Sequence, residues 1–93
     1  MIRDMSETWE HAGLNRARSS AGYYVRIRGL EGVEYEEGDH VLHPSSEALW
    51  GDGGFGLSAR SIEGPPARQA EVTQRIRAGL EFLGWTLVVD DDA

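Results

Sequence analysis

The stretch that decides the fold is residues 67–83, ARQAEVTQRIRAGLEFL, which has the clearest periodicity in the chain. Its apolar side chains recur at the spacing of one face of an α-helix. The residues on that face are Val72, Ile76, Leu80 and Leu83. Gly79 falls on the same stripe, where a missing side chain suits close contact with a sheet. Pro66 suits the first turn of this helix, and Gly84 suits the position just past its end.

Residues 23–30 and 33–37 predict the two strands of a hairpin. Apolar and polar side chains alternate along both segments, as in strands with one buried face. The side chains expected to point inward are Tyr23, Val25, Ile27, Val33 and Tyr35. On the outer face, we expect Arg26 and Arg28 opposite two glutamates of the second strand, in charge pairs that set the register more than the stability.

The other segments give weaker patterns. In chain order they predict a helix from residue 4 to 12 or 18, a short strand at 40–43, a helical turn starting at 45–47, a glycine-rich loop at 51–56, a weak strand at 57–62, a central strand at 85–89 and a frayed acidic tail at 90–93. Asp4 and Glu7 resemble the capping box that starts a helix. The order predicts one α+β domain over residues 1–93. We expect a two-layer sandwich with a small antiparallel or mixed sheet and two helices packed on one face.

The composition favours a protein partner over nucleic acid or a membrane surface. The 93 residues include 16 acidic and nine basic side chains, which gives a formal net charge of −7. DNA, RNA and anionic membranes attract basic surfaces, so a basic protein is the expected partner. The chain has no cysteine and no apolar run of signal or membrane-spanning length, which predicts a soluble cytoplasmic protein. All nine basic residues are arginines, as in a GC-rich bacterial or phage genome.

The densest charge feature is the acidic run in and after the second hairpin strand. Its carboxylates are expected to supply the electrostatic contact with a partner, and two nearby aromatic side chains its apolar anchors. The candidate partner-binding residues are Glu34, Glu36, Glu37, Asp39, Trp50 and Phe55. Charge reversal at Glu34 and Glu36 is then expected to slow association with the partner and to flatten its dependence on salt.

Two further motifs have a structural interpretation beside the functional one. Asp39, His40 and His43 carry ligand types that zinc accepts, but an odd spacing on a strand points the two histidines to opposite faces. Residues 51–56 fit G-x-G-x-x-G, but no strand precedes them and no helix follows, so no nucleotide cofactor is expected. The sequence offers no nucleophile with an activating partner, and no catalytic residue is predicted.

These observations predict a non-enzymatic, acidic protein-binding module. It is expected to act as an inhibitor or immunity-type protein that docks on a basic, nucleic-acid-binding protein surface. One alternative is a small structural or assembly subunit, of a phage particle or of a homo-oligomer that pairs exposed sheet edges. The other is a metal-binding enzyme or regulator that uses Asp39, His40 and His43.

Overall fold

The computed structural model describes residues 7–29, 32–49 and 54–89. These residues form eight strands, a 3-10 helix and one α-helix. In chain order they are β1 (Trp9–His11), β2 (Arg16–Ser19), β3 (Tyr23–Ile27), β4 (Val33–Glu37), β5 (His40–Leu42), β6 (Ser46–Leu49), β7 (Gly54–Leu57), the 3-10 helix (Ala59–Ser61), α1 (Pro66–Phe82) and β8 (Thr86–Val89).

The first five strands form one antiparallel sheet in chain order, β1-β2-β3-β4-β5. The hairpin predicted from residues 23–37 is its centre, and Arg26 lies opposite Glu34 as expected. The second expected pairing was wrong, because Glu36 lies opposite Tyr24 and not opposite an arginine. The turn between β4 and β5 has two residues, with Gly38 at a φ of 60°. A positive φ at the first turn position is typical of a type II′ hairpin, where glycine avoids the steric cost of a Cβ atom.

The last three strands form a second, mixed sheet in the order β6-β7-β8. β6 and β7 are antiparallel, whereas β7 and β8 are parallel and are joined through α1. The prediction of a central strand at 85–89 was wrong, because β8 lies at an edge of this sheet. Val88 is accordingly 55% exposed, so the apolar run at this end of the chain does not reflect burial on both faces.

The helix α1 confirms the prediction for residues 67–83 and begins at Pro66 as expected. Gly84 adopts a φ of 94° and donates its N–H to the carbonyl of Glu81, while Trp85 donates to the carbonyl of Leu80. This pair of bonds is the Schellman motif, which satisfies carbonyls that the helix end leaves free. It also turns the chain directly from α1 into β8. No α-helix of the described residues is long and apolar enough to cross a membrane.

The core lies between α1 and the two sheets. Its fully buried members include Tyr23, Val25 and Tyr35 from the first sheet, and Phe55 and Leu57 from the second. From α1 it receives Val72, Ile76 and Leu80. Burying a large apolar side chain contributes about 1.5–3 kcal/mol, so this shared core accounts for most of the favourable folding energy.

Two predicted helical elements were wrong. The first helix falls partly on residues 1–6, which lie outside the described residues, and its remainder forms the β1–β2 hairpin. Asn15, at a φ of 57°, shapes the turn of that hairpin, and Trp9 packs edge-on against Tyr23. The helical turn at 45–47 is instead the start of β6, where the Ser46 hydroxyl accepts the N–H of Val33. The described residues therefore contain one α-helix rather than two.

The weak strand predicted at 57–62 is replaced by the end of β7 and the 3-10 helix. Ser61 and Ile62 donate their N–H groups to carbonyls three residues back, on Ser58 and Ala59. The strand predicted at 40–43 is confirmed as β5 but is one residue shorter. The glycine-rich loop also ends earlier than expected, because Gly54 and Gly56 belong to β7. The loop's residues 51–53 and the predicted acidic tail at 90–93 lie outside the described residues.

Close approach of α1 to the first sheet makes Gly79 sensitive to substitution. A Cβ atom at Gly79 would lie 2.7 Å from two carbons of Val25. We expect Gly79→Ala to lower the free energy of unfolding by about 1–3 kcal/mol, because overpacking outweighs the gain in helix propensity. Denaturation by urea measures this change.

A matched substitution in the same helix separates packing from propensity. Ala70 is exposed, so Ala70→Gly should cost about 1 kcal/mol through propensity alone. If propensity alone governed both sites, the two substitutions would shift stability in opposite directions. A stabilising Gly79→Ala would therefore contradict the close packing of α1 against β3.

Candidate protein-binding surfaces

The glutamates predicted as a partner-binding face are bound to arginines of the chain itself. Glu34 is 5% exposed and its carboxylate lies 3.3 Å from an Arg28 nitrogen. Glu36 accepts a hydrogen bond of 2.8 Å from Arg16. The Arg16 guanidinium also lies over the ring of Tyr24. Reversing the charge of either glutamate would therefore place two positive charges side by side within the fold.

Glu37 is the most connected of these glutamates, because its carboxylate joins β4 to α1. Arg68 donates to its Oε1 at 2.6 Å and Arg75 at 3.3 Å. The hydroxyl of the fully buried Tyr35 donates to the same oxygen at 2.9 Å, and Arg75 in turn donates to the Tyr35 hydroxyl at 2.8 Å. Glu71 completes the network as a second partner of both arginines. We call Tyr35, Glu37, Arg68, Glu71 and Arg75 the helix clamp.

The contacts within the helix clamp shift the pKa values of several of its members. The hydrogen bond from Arg68, together with that from Tyr35, holds the pKa of Glu37 below its usual 4.5. The same ion pair raises the pKa of Arg68. Burial raises the pKa of the Tyr35 phenol, so the hydroxyl remains a proton donor at neutral pH.

A second polar cluster holds the amino-terminal segment on the sheet. The Glu7 carboxylate accepts hydrogen bonds from the hydroxyls of Ser19 and Tyr23. Burial is the main cause that raises the pKa of Tyr23, and the bond to Glu7 adds to it. The Arg75 guanidinium covers the other side of this ring, 4.5 Å from its centroid. The Glu7 carboxylate is therefore also engaged in hydrogen bonds within the fold.

The two predicted aromatic anchors have different outcomes. Trp50 lies outside the described residues. Phe55 lies in β7, where it is 2% exposed and its ring centroid is 5.2 Å from that of Trp85. Its glycine neighbours do not expose it; they pair with β6 and β8 as strand residues. The Phe55 side chain is therefore a core residue with almost no surface to offer a partner.

Asp39, His40 and His43 do not converge on a metal site. His40 is the first residue of β5 and His43 follows the end of that strand, so the odd spacing separates the side chains. Among the residues that the structure describes, no group of three or more histidine, aspartate or glutamate side chains is placed to hold a metal ion.

The surface that best fits a partner is β5, one of the two edge strands of the first sheet. β5 pairs with β4 alone in this sheet. Because a two-residue turn closes on the hydrogen-bonded pair Glu37–His40, the alternation directs the backbone N–H and carbonyl of Val41 away from β4. The Val41 side chain is 47% exposed. This strand therefore offers both backbone groups and an apolar side chain.

Two carboxylates flank this edge. Asp39 precedes β5. Glu63 and Leu42 together line two grooves, which have volumes of about 270 and 200 Å³. Asp39 and Glu63 have no ion-pair partner among the described residues, unlike the three glutamates of β4. We call Asp39, His40, Val41, Leu42 and Glu63 the β5 edge surface.

Sequence reasoning found Asp39 but missed Glu63. The two carboxylates are 24 positions apart, and no periodic pattern links them. Glu63 comes to β5 because Ser45 donates its N–H to the Ser61 hydroxyl at 2.7 Å, which fastens the segment after the 3-10 helix beside the end of β5. Only a prediction of that tertiary contact would have found the pair.

No protein family, no curated protein and no solved structure matches this chain.

The helix clamp gives a prediction on acid stability. Glu37→Gln should lower the free energy of unfolding at pH 7 by about 1 kcal/mol, because Arg68 and Arg75 lose a charged acceptor on a side chain that solvent partly screens. Since folding lowers the pKa of Glu37, its stabilising contribution is present above its unfolded pKa of 4.5 and is lost as the pH falls through the lower folded value. Urea unfolding at about pH 7 and about pH 3 measures both effects.

The variant should consequently lose less stability than the wild type between these two pH values. Glu81→Gln is the matched control, because Glu81 is exposed and has no ion-pair partner among the described residues. Equal acid sensitivity in the wild type and in Glu37→Gln would show that Glu37 does not join α1 to the sheet.

Proposed function

We propose that this chain is a non-enzymatic protein-binding module of inhibitor or immunity type, which docks on a basic protein through the β5 edge surface. The observation that carries the proposal is an edge strand with an exposed Val41, flanked by two carboxylates that have no ion-pair partner among the described residues. An extended segment of the partner would add to β5 through its backbone. Basic side chains of that segment would pair with Asp39 and Glu63.

The charge pattern supports a basic partner. The net charge of −7 attracts a basic protein at long range and repels nucleic acid and anionic membranes. At short range, the carboxylates of β4 add little to binding because arginines of the chain already pair with them. The carboxylates of Asp39 and Glu63, next to β5, therefore provide the specificity for the partner.

A capture experiment with paired charge variants tests the proposal. The purified wild type and Asp39→Arg/Glu63→Arg are immobilised and exposed to nuclease-treated lysate of the source organism. We expect the wild type to retain a basic protein at about 0.05 M salt and to release it at about 0.5 M. The double variant should not retain that protein, because it opposes like charges across the contact.

Glu47→Arg/Glu81→Arg is the matched control, since it makes the same change in net charge at two exposed sites away from β5. It should capture the partner as the wild type does. Val41→Pro tests the edge itself, because it removes an outward N–H without altering any charge. Capture by Asp39→Arg/Glu63→Arg at the wild-type level, or loss only in the control, would refute the β5 edge surface.

Self-assembly through the same free edge is the second candidate. An exposed edge strand pairs with a second copy as readily as with a foreign strand when the charges permit. Light scattering across a range of concentrations distinguishes the two. A monomer at every concentration contradicts self-assembly, whereas a dimer that Val41→Pro dissociates supports it over a foreign partner.

A further inference from the structure

A second groove is lined by basic rather than acidic side chains. It has a volume of about 560 Å³ and is lined by Arg60, Gln69, Thr73, Arg77 and Val89, among others. Arg60 is in the 3-10 helix that follows β7, and Val89 ends β8, so the groove lies at the carboxyl ends of two parallel strands. In sheets with parallel strands and a crossover helix, this end is where ligand crevices form.

The two arginines of this groove have no acidic partner among the described residues. Five other arginines there do pair with carboxylates, namely Arg16, Arg18, Arg28, Arg68 and Arg75. Arg77 contacts only the neutral side-chain oxygen of Gln74, at 3.3 Å. In a chain with a net charge of −7, two uncompensated guanidinium groups on one groove mark it as a site for an anionic ligand.

An unsatisfied polar atom lies in the wall between them. Thr73 is 6% exposed, and its hydroxyl has no hydrogen-bond partner. The hydroxyl oxygen has no solvent-accessible surface, so a ligand reaches it when the Thr73 side chain rotates toward the groove. A polar ligand that then supplies a hydrogen-bond partner gains affinity from the contact. The side chain of Gln69 already uses its amide to donate to the carbonyl of Ile62 at 2.9 Å, which fixes the floor of the groove.

The length of the groove along α1 selects the kind of anion. The Gln69 amide also approaches the Arg60 carbonyl, at 3.5 Å, which places Arg60 beside Gln69. Gln69 and Arg77 are eight residues apart on α1, or about 12 Å at the helical rise of about 1.5 Å per residue. One carboxylate or one phosphate does not span that distance. An extended peptide covers it in about four residues, at about 3.3 Å each.

We propose that this groove binds an extended acidic segment of a partner protein, with two carboxylates four positions apart paired to Arg60 and Arg77. Small side chains between those carboxylates would pass the wall formed by Ala70 and Thr73, where the Thr73 hydroxyl gains a peptide carbonyl. This site is independent of the β5 edge surface, so either can fail without the other.

Fluorescence anisotropy with a labelled peptide tests the site. The probe is Glu-Ala-Ser-Ala-Glu with blocked ends, and its control has glutamine in place of both glutamates. The full-length protein should bind the acidic probe and not its control, and binding should weaken as salt rises. Arg60→Ala and Arg77→Ala should each weaken it about fivefold, and both together about 25-fold.

Arg26→Ala is the matched arginine control, because Arg26 is exposed, has no ion-pair partner among the described residues and lies on the other sheet. It should leave probe affinity unchanged. Thr73→Val should weaken probe binding while the melting temperature stays equal or rises, since the hydroxyl has no partner without a ligand. An equal loss of probe affinity in Arg26→Ala would show that the probe is attracted by charge without a specific site. Binding of the glutamine probe would show that the groove does not recognise the carboxylates. Either result would overturn the proposal.

The chain itself contains a competing acidic segment, because Asp90, Asp91 and Asp92 follow Val89 in the sequence. Replacing all three with asparagine in the full chain distinguishes the two occupants. Unchanged probe affinity supports a partner segment. A rise of several-fold would show that the groove serves the chain's own terminus, and would overturn the proposal of a partner.

Discussion

The rest of the structure depends on the attachment of α1 to β4 through the carboxylate of Glu37. Apolar burial provides most of the folding energy, but it does not by itself fix where a helix lies along a sheet. Arg68 and Arg75 reach from α1 to Glu37, and the buried Tyr35 hydroxyl holds the same carboxylate from the sheet. With α1 fixed there, Gly79 is pressed against Val25, and the Schellman motif leads the chain into β8 beside β7.

This attachment also decides which charges remain for a partner. The three glutamates of β4 carry much of the negative charge in the hairpin, yet all three are counter-ions of arginines within the fold. Within the part of the chain that the structure describes, Asp39 and Glu63 have no such partner, nor have Arg60 and Arg77 in the groove beside α1. A charge that the fold does not pair remains available to a partner, so these four side chains are free to contribute to recognition.

Sequence periodicity predicted the parts of the fold that local pattern determines. Residues 67–83 and the hairpin of residues 23–37 show clear periods of 3.6 and 2, and the inward residues of both were identified correctly. The β1–β2 hairpin was missed because Trp9 and Ala12 fit a helical spacing, whereas the positive φ of Asn15 and the packing of Trp9 on Tyr23 are tertiary outcomes. The candidate site was predicted only in part, at Asp39, for the same reason: composition shows that carboxylates are abundant, but only the folded chain shows which of them are already paired.

A double-mutant cycle between Glu37 and Arg68 tests most directly whether the acidic residues of β4 serve the fold. Urea unfolding of Glu37→Gln, Arg68→Gln and the double variant gives the coupling energy of the pair. A favourable coupling of about 1 kcal/mol is expected, since either single change removes the direct ion pair between Glu37 and Arg68. A coupling near zero, with the capture of a basic partner lost in Glu37→Gln, would contradict this assignment and return Glu37 to the partner-binding surface.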